Sequence, residues 1–98
     1  MDREDQDKLE RLVNECVKGN RQAQKELYKM YYGKMMSVCY RYANNTDEAK
    51  DVLQDSFLRI FKFAHKYDHE SGSLLGWMKT ICIRIALQKI KGQLLLRN

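Results

Sequence analysis

Proline is missing from this 98-residue sequence, and glycine occurs only five times. Sandwiches of short strands need many Gly/Pro-rich turns, so an all-β fold is close to excluded. No apolar run approaches the roughly 18 residues of a membrane span. The first ten residues, MDREDQDKLE, are charged and carry no secretory leader. The expectation is a chain without membrane attachment that works in the cytoplasm. Cysteine is scarce: Cys16, Cys39 and Cys82 are odd in number and widely spaced. That argues against a disulfide framework or a zinc knuckle and for reduced thiols in a core. There is no glycine-rich phosphate loop, no His-Glu-x-x-His pair and no Cys-x-x-Cys. His65 and His69 are four apart, a metal-binding spacing only on a helix, and Gly72 with its polar neighbours argues for a loop. The residues therefore predict no catalytic group, metal or cofactor, and the chain is not read as an enzyme.

What is present is charge and helical periodicity. Eighteen Lys+Arg stand against 13 Asp+Glu, a formal net charge of +5, with 44% hydrophobic residues, enough for a core. Apolar residues recur at helical spacing nearly everywhere. A first helix is predicted from about Asp5 to Lys18, with Gly19 as its stop and Asn20 as the next cap. A second runs from Arg21 to about Asn44. Gly33 inside it marks close packing or a bend. A third begins after the Asn44-Asn45-Thr46 turn, with Thr46 as N-cap and Asp47, Glu48 and Asp51 in its first turns, where the helix dipole favours acids. Residues 65–73, HKYDHESGS, read as a loop, and Ser71 or Ser73 caps a last helix from Leu74 to about Lys91, with Gly92 as a stop. Leu94, Leu95 and Leu96 then either pack back on the bundle or lead into further chain. The fold class is all-α: one domain, residues 1–98, a compact bundle of three to four helices.

Two surfaces stand out. No Asp or Glu occurs from Ser71 to Asn98, while Lys79, Arg84, Lys89, Lys91 and Arg97 do. Arg84 and Lys91 are seven apart and share a helix face, with Gln88 between them and Thr80 one turn earlier. Such a stripe suits a nucleic-acid backbone. It also suits the dipole of a helix C-terminus, and charge alone leaves both readings open. On the third helix, Asp51, Gln54, Asp55 and Leu58 share the face opposite the apolar stripe. A leucine among carboxylates suits a basic, partly apolar partner helix, although lone surface leucines are ordinary. Between the two helices lies an aromatic, polar loop, and aromatic rings beside a basic helix are what single-stranded bases stack on. Trp77 sits on the apolar stripe and is read as core.

DEAKDVLQDSFLRIFK followed by KYDHESGSLLGWMKTI resembles region 2 of bacterial RNA polymerase sigma factors, most closely the extracytoplasmic-function (ECF) group. The matching positions are Asp47 or Glu48, Ala49, Asp51, Val52, Gln54, Asp55, Phe57, Trp77, Met78 and Ile81. GNRQAQKELYKMYYGKM upstream is similar to the family's Gly-Asp-x-x-Ala-x-x-x-Leu-Tyr-x-x-Tyr segment. The resemblance covers about residues 9 to 91. It implies that Asp51, Gln54, Asp55 and Leu58 dock on the clamp helices of the polymerase β′ subunit. It also implies that the loop and last helix bind single-stranded −10 promoter DNA of the non-template strand and hold a flipped base. Tyr67, Asp68, His69, Ser71, Ser73 and Leu74 would capture that base, and Lys79, Arg84, Gln88 and Lys91 would contact phosphates or bases. An anti-sigma protein is a further implied partner.

The sequence departs from the ECF pattern at Arg84 and Gln88, where the family usually has Asn and Asp. Arg84 keeps the backbone attraction. The family's C-terminal helix-turn-helix domain is absent from these residues, so the expectation is an excised domain or a truncated gene product. Two alternatives remain open: a sigma-like protein-interaction bundle without base reading, and a non-specific nucleic-acid-binding helical protein.

Overall fold

The computed structural model of the chain describes residues 3–96. Arg97 of the basic stretch lies outside them, as does the side chain of Leu96. Four helices follow in order: α1 Arg3–Val17, α2 Arg21–Tyr42, α3 Thr46–Phe63 and α4 Leu74–Leu96, with a short 3-10 turn, Ala64–Lys66, closing α3.

The corners follow from local chemistry. At the end of α1, Gly19 takes φ +85°, a left-handed conformation that side chains resist. Its N–H donates to the Cys16 carbonyl (3.0 Å) and the Asn20 N–H to the Glu15 carbonyl (3.1 Å), the double bond of a Schellman stop. Asn20 then starts α2, its side-chain oxygen accepting from the Ala23 N–H. At the next corner the N-cap is Asn45, not Thr46. Asn45 Oδ1 accepts from the Glu48 N–H (2.9 Å), and the Glu48 carboxylate reaches back to the Asn44 N–H (2.9 Å). This is a capping-box exchange displaced by one residue. Asn is the better acceptor for that geometry, and it moves the corner so that α2 ends at Tyr42.

α2 is the central helix and packs against each of the other three. Its Met35 and Cys39 are fully buried, as are Ala49, Ser56 and Ile60 of α3 and Met78 and Cys82 of α4. Tyr28 seals the α2–α3 seam against Phe57, ring centroids 4.7 Å apart. Ser56 is the one buried polar residue of the described core, and its hydroxyl donates to the Val52 carbonyl. Gly33 does not mark close packing: space around it is open, and α2 runs through it unbroken.

The largest departure from expectation is at the end of α4. Gly92 does not stop the helix, which continues to Leu96. Gly92 keeps a negative φ, and a helical glycine costs only about 1 kcal/mol. Gln93 Nε2 reaches Glu48 Oε1 at 3.4 Å, tying this turn to the start of α3. Leu94 and Leu95 do not pack back and stay exposed.

Candidate nucleic-acid and protein-binding interfaces

The loop that joins α3 to α4 is built by Asp68. Its carboxylate accepts from the Glu70 N–H (3.0 Å) and the Ser71 hydroxyl (2.9 Å), an Asx turn. Those bonds hold the Asp68 carboxyl below its ordinary range, the Glu70 N–H contributing most. Gly72 follows at φ +153°, and its carbonyl accepts from the Tyr67 hydroxyl at 2.9 Å. Ser73 caps α4, its oxygen accepting from the Gly76 N–H (3.0 Å). Tyr67 leans on Trp77, ring centroids 5.5 Å apart. Trp77 is partly buried: it packs against the core, as expected, and its remaining surface walls the loop.

These residues enclose a cleft of about 490 Å³, lined by Tyr67, Asp68, Ser71, Ser73, Trp77 and Thr80, with Lys66 at its edge. It offers aromatic walls, hydroxyls and one cation. From its floor, Thr80, Arg84 and Lys91 continue along α4 as an exposed row. Lys79 is half-buried and lies off that row, since successive helical residues are about 100° apart.

Two residues expected at the base-capturing loop are positioned elsewhere. The His69 Nε2 lies 3.5 Å from Glu10 Oε1 of α1, so this side chain faces α1 and not the cleft. The Leu74 side chain is 2% exposed and belongs to the core, because the first turn of α4 needs an apolar anchor beneath the loop. Leu74 can offer that surface only its backbone.

The face of α3 is as expected: Asp51, Gln54, Asp55 and Leu58 are all exposed, Leu58 to 70%. Asp55 already has a partner, Lys89 of α4 at 2.8 Å. Beside that pair runs a groove of about 460 Å³ between α3 and α4, lined by Asp55, Leu58, Arg59, Lys62, Gln88 and Lys89 among others. Gln88 thus joins the acidic helix face, not the loop cleft.

Sequence reasoning missed a second cationic group. Arg59, Lys62 and Lys66 surround the half-buried ring of Phe63, their charges 6.0, 5.5 and 5.1 Å from its centroid. Such contacts hold long side chains in place on an apolar surface. The signal was the spacing of 59, 62 and 66 along one face of α3 and its 3-10 extension, hidden because the acidic start of that helix dominates its charge pattern. These cations link the loop cleft, where Lys66 sits, to the α3–α4 groove, where Arg59 and Lys62 sit. Among the described residues no cluster of His, Cys, Asp and Glu could hold a metal ion. No described helix is long and apolar enough to cross a membrane.

Comparison with known proteins bears on these surfaces directly. The Sigma-70 region 2 family model matches residues 27–94. ECF RNA polymerase sigma factor SigW of Bacillus subtilis (strain 168) is 23% identical over 83 residues, which are 85% of this chain and 44% of that protein. SigE of Mycolicibacterium smegmatis is 26% identical over 66 residues, 67% of this chain and 25% of the relative. SigK of Mycobacterium ulcerans is 23% identical over 87 residues, 89% and 46%. The chain spans less than half the length of each of these relatives. No solved structure matches it significantly.

Proposed function

Because this chain belongs to the Sigma-70 region 2 family, we propose that it is the core-binding and promoter-melting domain of an ECF-type sigma factor. The exposed row Asp51, Gln54, Asp55 and Leu58 docks on the clamp helices of the polymerase β′ subunit. The loop cleft receives a base flipped from the non-template strand of the −10 element. The observation that carries this reading is the cleft itself, with its Tyr67–Trp77 walls, its Ser71, Ser73 and Thr80 hydroxyls and Lys66 at the edge.

The physics of flipping explains why such a cleft needs charge around it. Extruding a base costs a few kcal/mol of lost stacking. Rings that receive the base recover part of that, about 1–3 kcal/mol per stacked base. Cations along the strand path supply the rest by releasing condensed counterions. Arg84 and Lys91 on α4 and the Arg59, Lys62 and Lys66 group supply the path on either side of the cleft. Asp68 is an acceptor already committed within the loop, so its part is to shape the cleft and not to touch phosphate.

Charge reversal separates the two surfaces. Asp51→Lys with Asp55→Lys should abolish binding to polymerase core and leave single-strand affinity intact or raised. Lys66→Glu with Arg84→Glu should do the opposite. A double α3 variant that still binds core at wild-type affinity would remove the docking assignment. A second reading, a protein-interaction bundle without base reading, draws on Gln88 lining the α3–α4 groove beside Asp55. Under it, Lys66→Glu with Arg84→Glu leaves every measured activity unchanged.

A further inference from the structure

We propose that Cys39 and Cys82 are a peroxide-oxidisable thiol pair, a modification site inside the core that closes to an intramolecular disulfide joining α2 to α4. Their sulfurs lie 3.3 Å apart, and neither residue is exposed. Both are free thiols. The pair lies at a junction of three helices, with Cys39 from α2, Ser56 from α3 and Cys82 from α4, each 0% exposed. Small side chains at that junction let the helices approach closely. A disulfide has its sulfurs about 2.05 Å apart, so about 1.3 Å of further approach is needed. Rotation of two side chains with a small helix shift can share that distance.

The two thiols are not equivalent. The contact with Cys39 lowers the Cys82 thiol from its ordinary value, and burial opposes that. The same contact, with burial, pushes Cys39 up. Ser56 has a single hydroxyl hydrogen, now given to the Val52 carbonyl at 2.6 Å. Turned toward Cys82, it would stabilise a thiolate there. Either thiol can donate across this contact; the Ser56 hydroxyl within reach of Cys82 makes Cys82 the attacking sulfur and Cys39 the resolving one.

The oxidant is hydrogen peroxide, small enough to enter during local opening of the bundle. The Cys82 thiolate attacks one peroxide oxygen, the O–O bond breaks and hydroxide leaves, giving a sulfenic acid. The Cys39 sulfur then attacks the Cys82 sulfur. The S–O bond breaks, and water leaves with the Cys39 proton. In total, two thiols and one peroxide give one disulfide and two waters. The bond would join the central helix to the helix that carries Arg84 and Lys91.

The test is peroxide treatment of the folded, fully reduced chain, followed by alkylation in denaturant, intact mass and peptide mapping. The expected result is loss of two hydrogen masses and a fall from three alkylatable thiols to one. The single linked peptide should join Cys39 to Cys82, and dithiothreitol should reverse it. Cys16→Ser should leave the reaction intact, and Cys39→Ala should abolish the link. Three thiols still alkylated, a pairing pattern equal to that of the unfolded chain, or sulfinic acid in place of the bond would each overturn the proposal. The wild-type result decides even if a variant folds poorly.

Discussion

Asp68 is exposed and lines the cleft, but its carboxylate is committed within the loop, which depends on it. Its carboxylate organises Glu70 and Ser71, and Tyr67 closes the far side on Gly72. Asp68→Ala should weaken single-strand binding several-fold while moving the thermal midpoint of the bundle little, since the group is exposed. Paired oligonucleotide titration and thermal melts check this. The sign of the pH effect follows from the lowered carboxyl. A depressed folded value means that the ordering is present above the ordinary carboxylate range. It is lost as pH falls through the depressed value. A carbon-detected NMR titration should find the Asp68 midpoint below that of an unstructured aspartate, and a midpoint at or above it would contradict the turn. Lys89→Ala is a second residue-scale case. The Lys89–Asp55 pair is about half exposed, so its loss should cost less than about 1 kcal/mol of stability. It should also leave Asp55 unshared and raise affinity for polymerase core.

At the scale of elements, α3 was the most legible part of the sequence. Its stripe of Ala49, Val52, Leu53, Ser56, Phe57 and Ile60 is buried as a stripe, and the opposite face is open. The Gly19–Asn20 corner was legible for the same reason: one left-handed glycine and one side-chain acceptor suffice to define it. Asn20→Ala should cost about 1 kcal/mol, seen as a lower denaturation midpoint at unchanged slope. The course of α4 past Gly92 was not legible, because no local signal carries the helix through a glycine. Gly92 lacks the left-handed turn that a stop needs, and the bond that holds the last turn comes from Glu48 on another helix. The direction of His69 was hidden likewise. Its partner, Glu10, is 59 positions away in sequence. Such tertiary pairs leave no local pattern, and neither does the proximity of Cys39 to Cys82.

Across the described residues α2 is the central brace, with α3 and α4 packed on it and on each other. The resemblance to region 2 of ECF sigma factors holds, as the family match and the similar proteins show. The all-α bundle holds with it. The brace matters because both candidate surfaces are held by one core. Met78, fully buried on α4 close behind the loop, is a test of that coupling. Met78→Ala should cost about 2–5 kcal/mol and weaken both strand and polymerase binding, where surface charge reversals affect one at a time. Net charge acts at this scale too. With a formal charge of +5, some single-strand affinity is non-specific and falls with salt. Each phosphate contact removed should lower the salt slope by about 0.7, so Lys66→Gln should reduce the slope without changing base preference.

The central claim is that the loop cleft captures a base. It is tested most directly by titrating the protein with fluorescent oligonucleotides at two salt concentrations. The three ligands are a single-stranded −10-like non-template strand, the same sequence as duplex, and a scrambled single strand. The account predicts tighter binding to the first than to either control, with the preference surviving at the higher salt. Equal binding to all three that weakens together with salt would contradict it, leaving a basic surface and no base-capturing cleft.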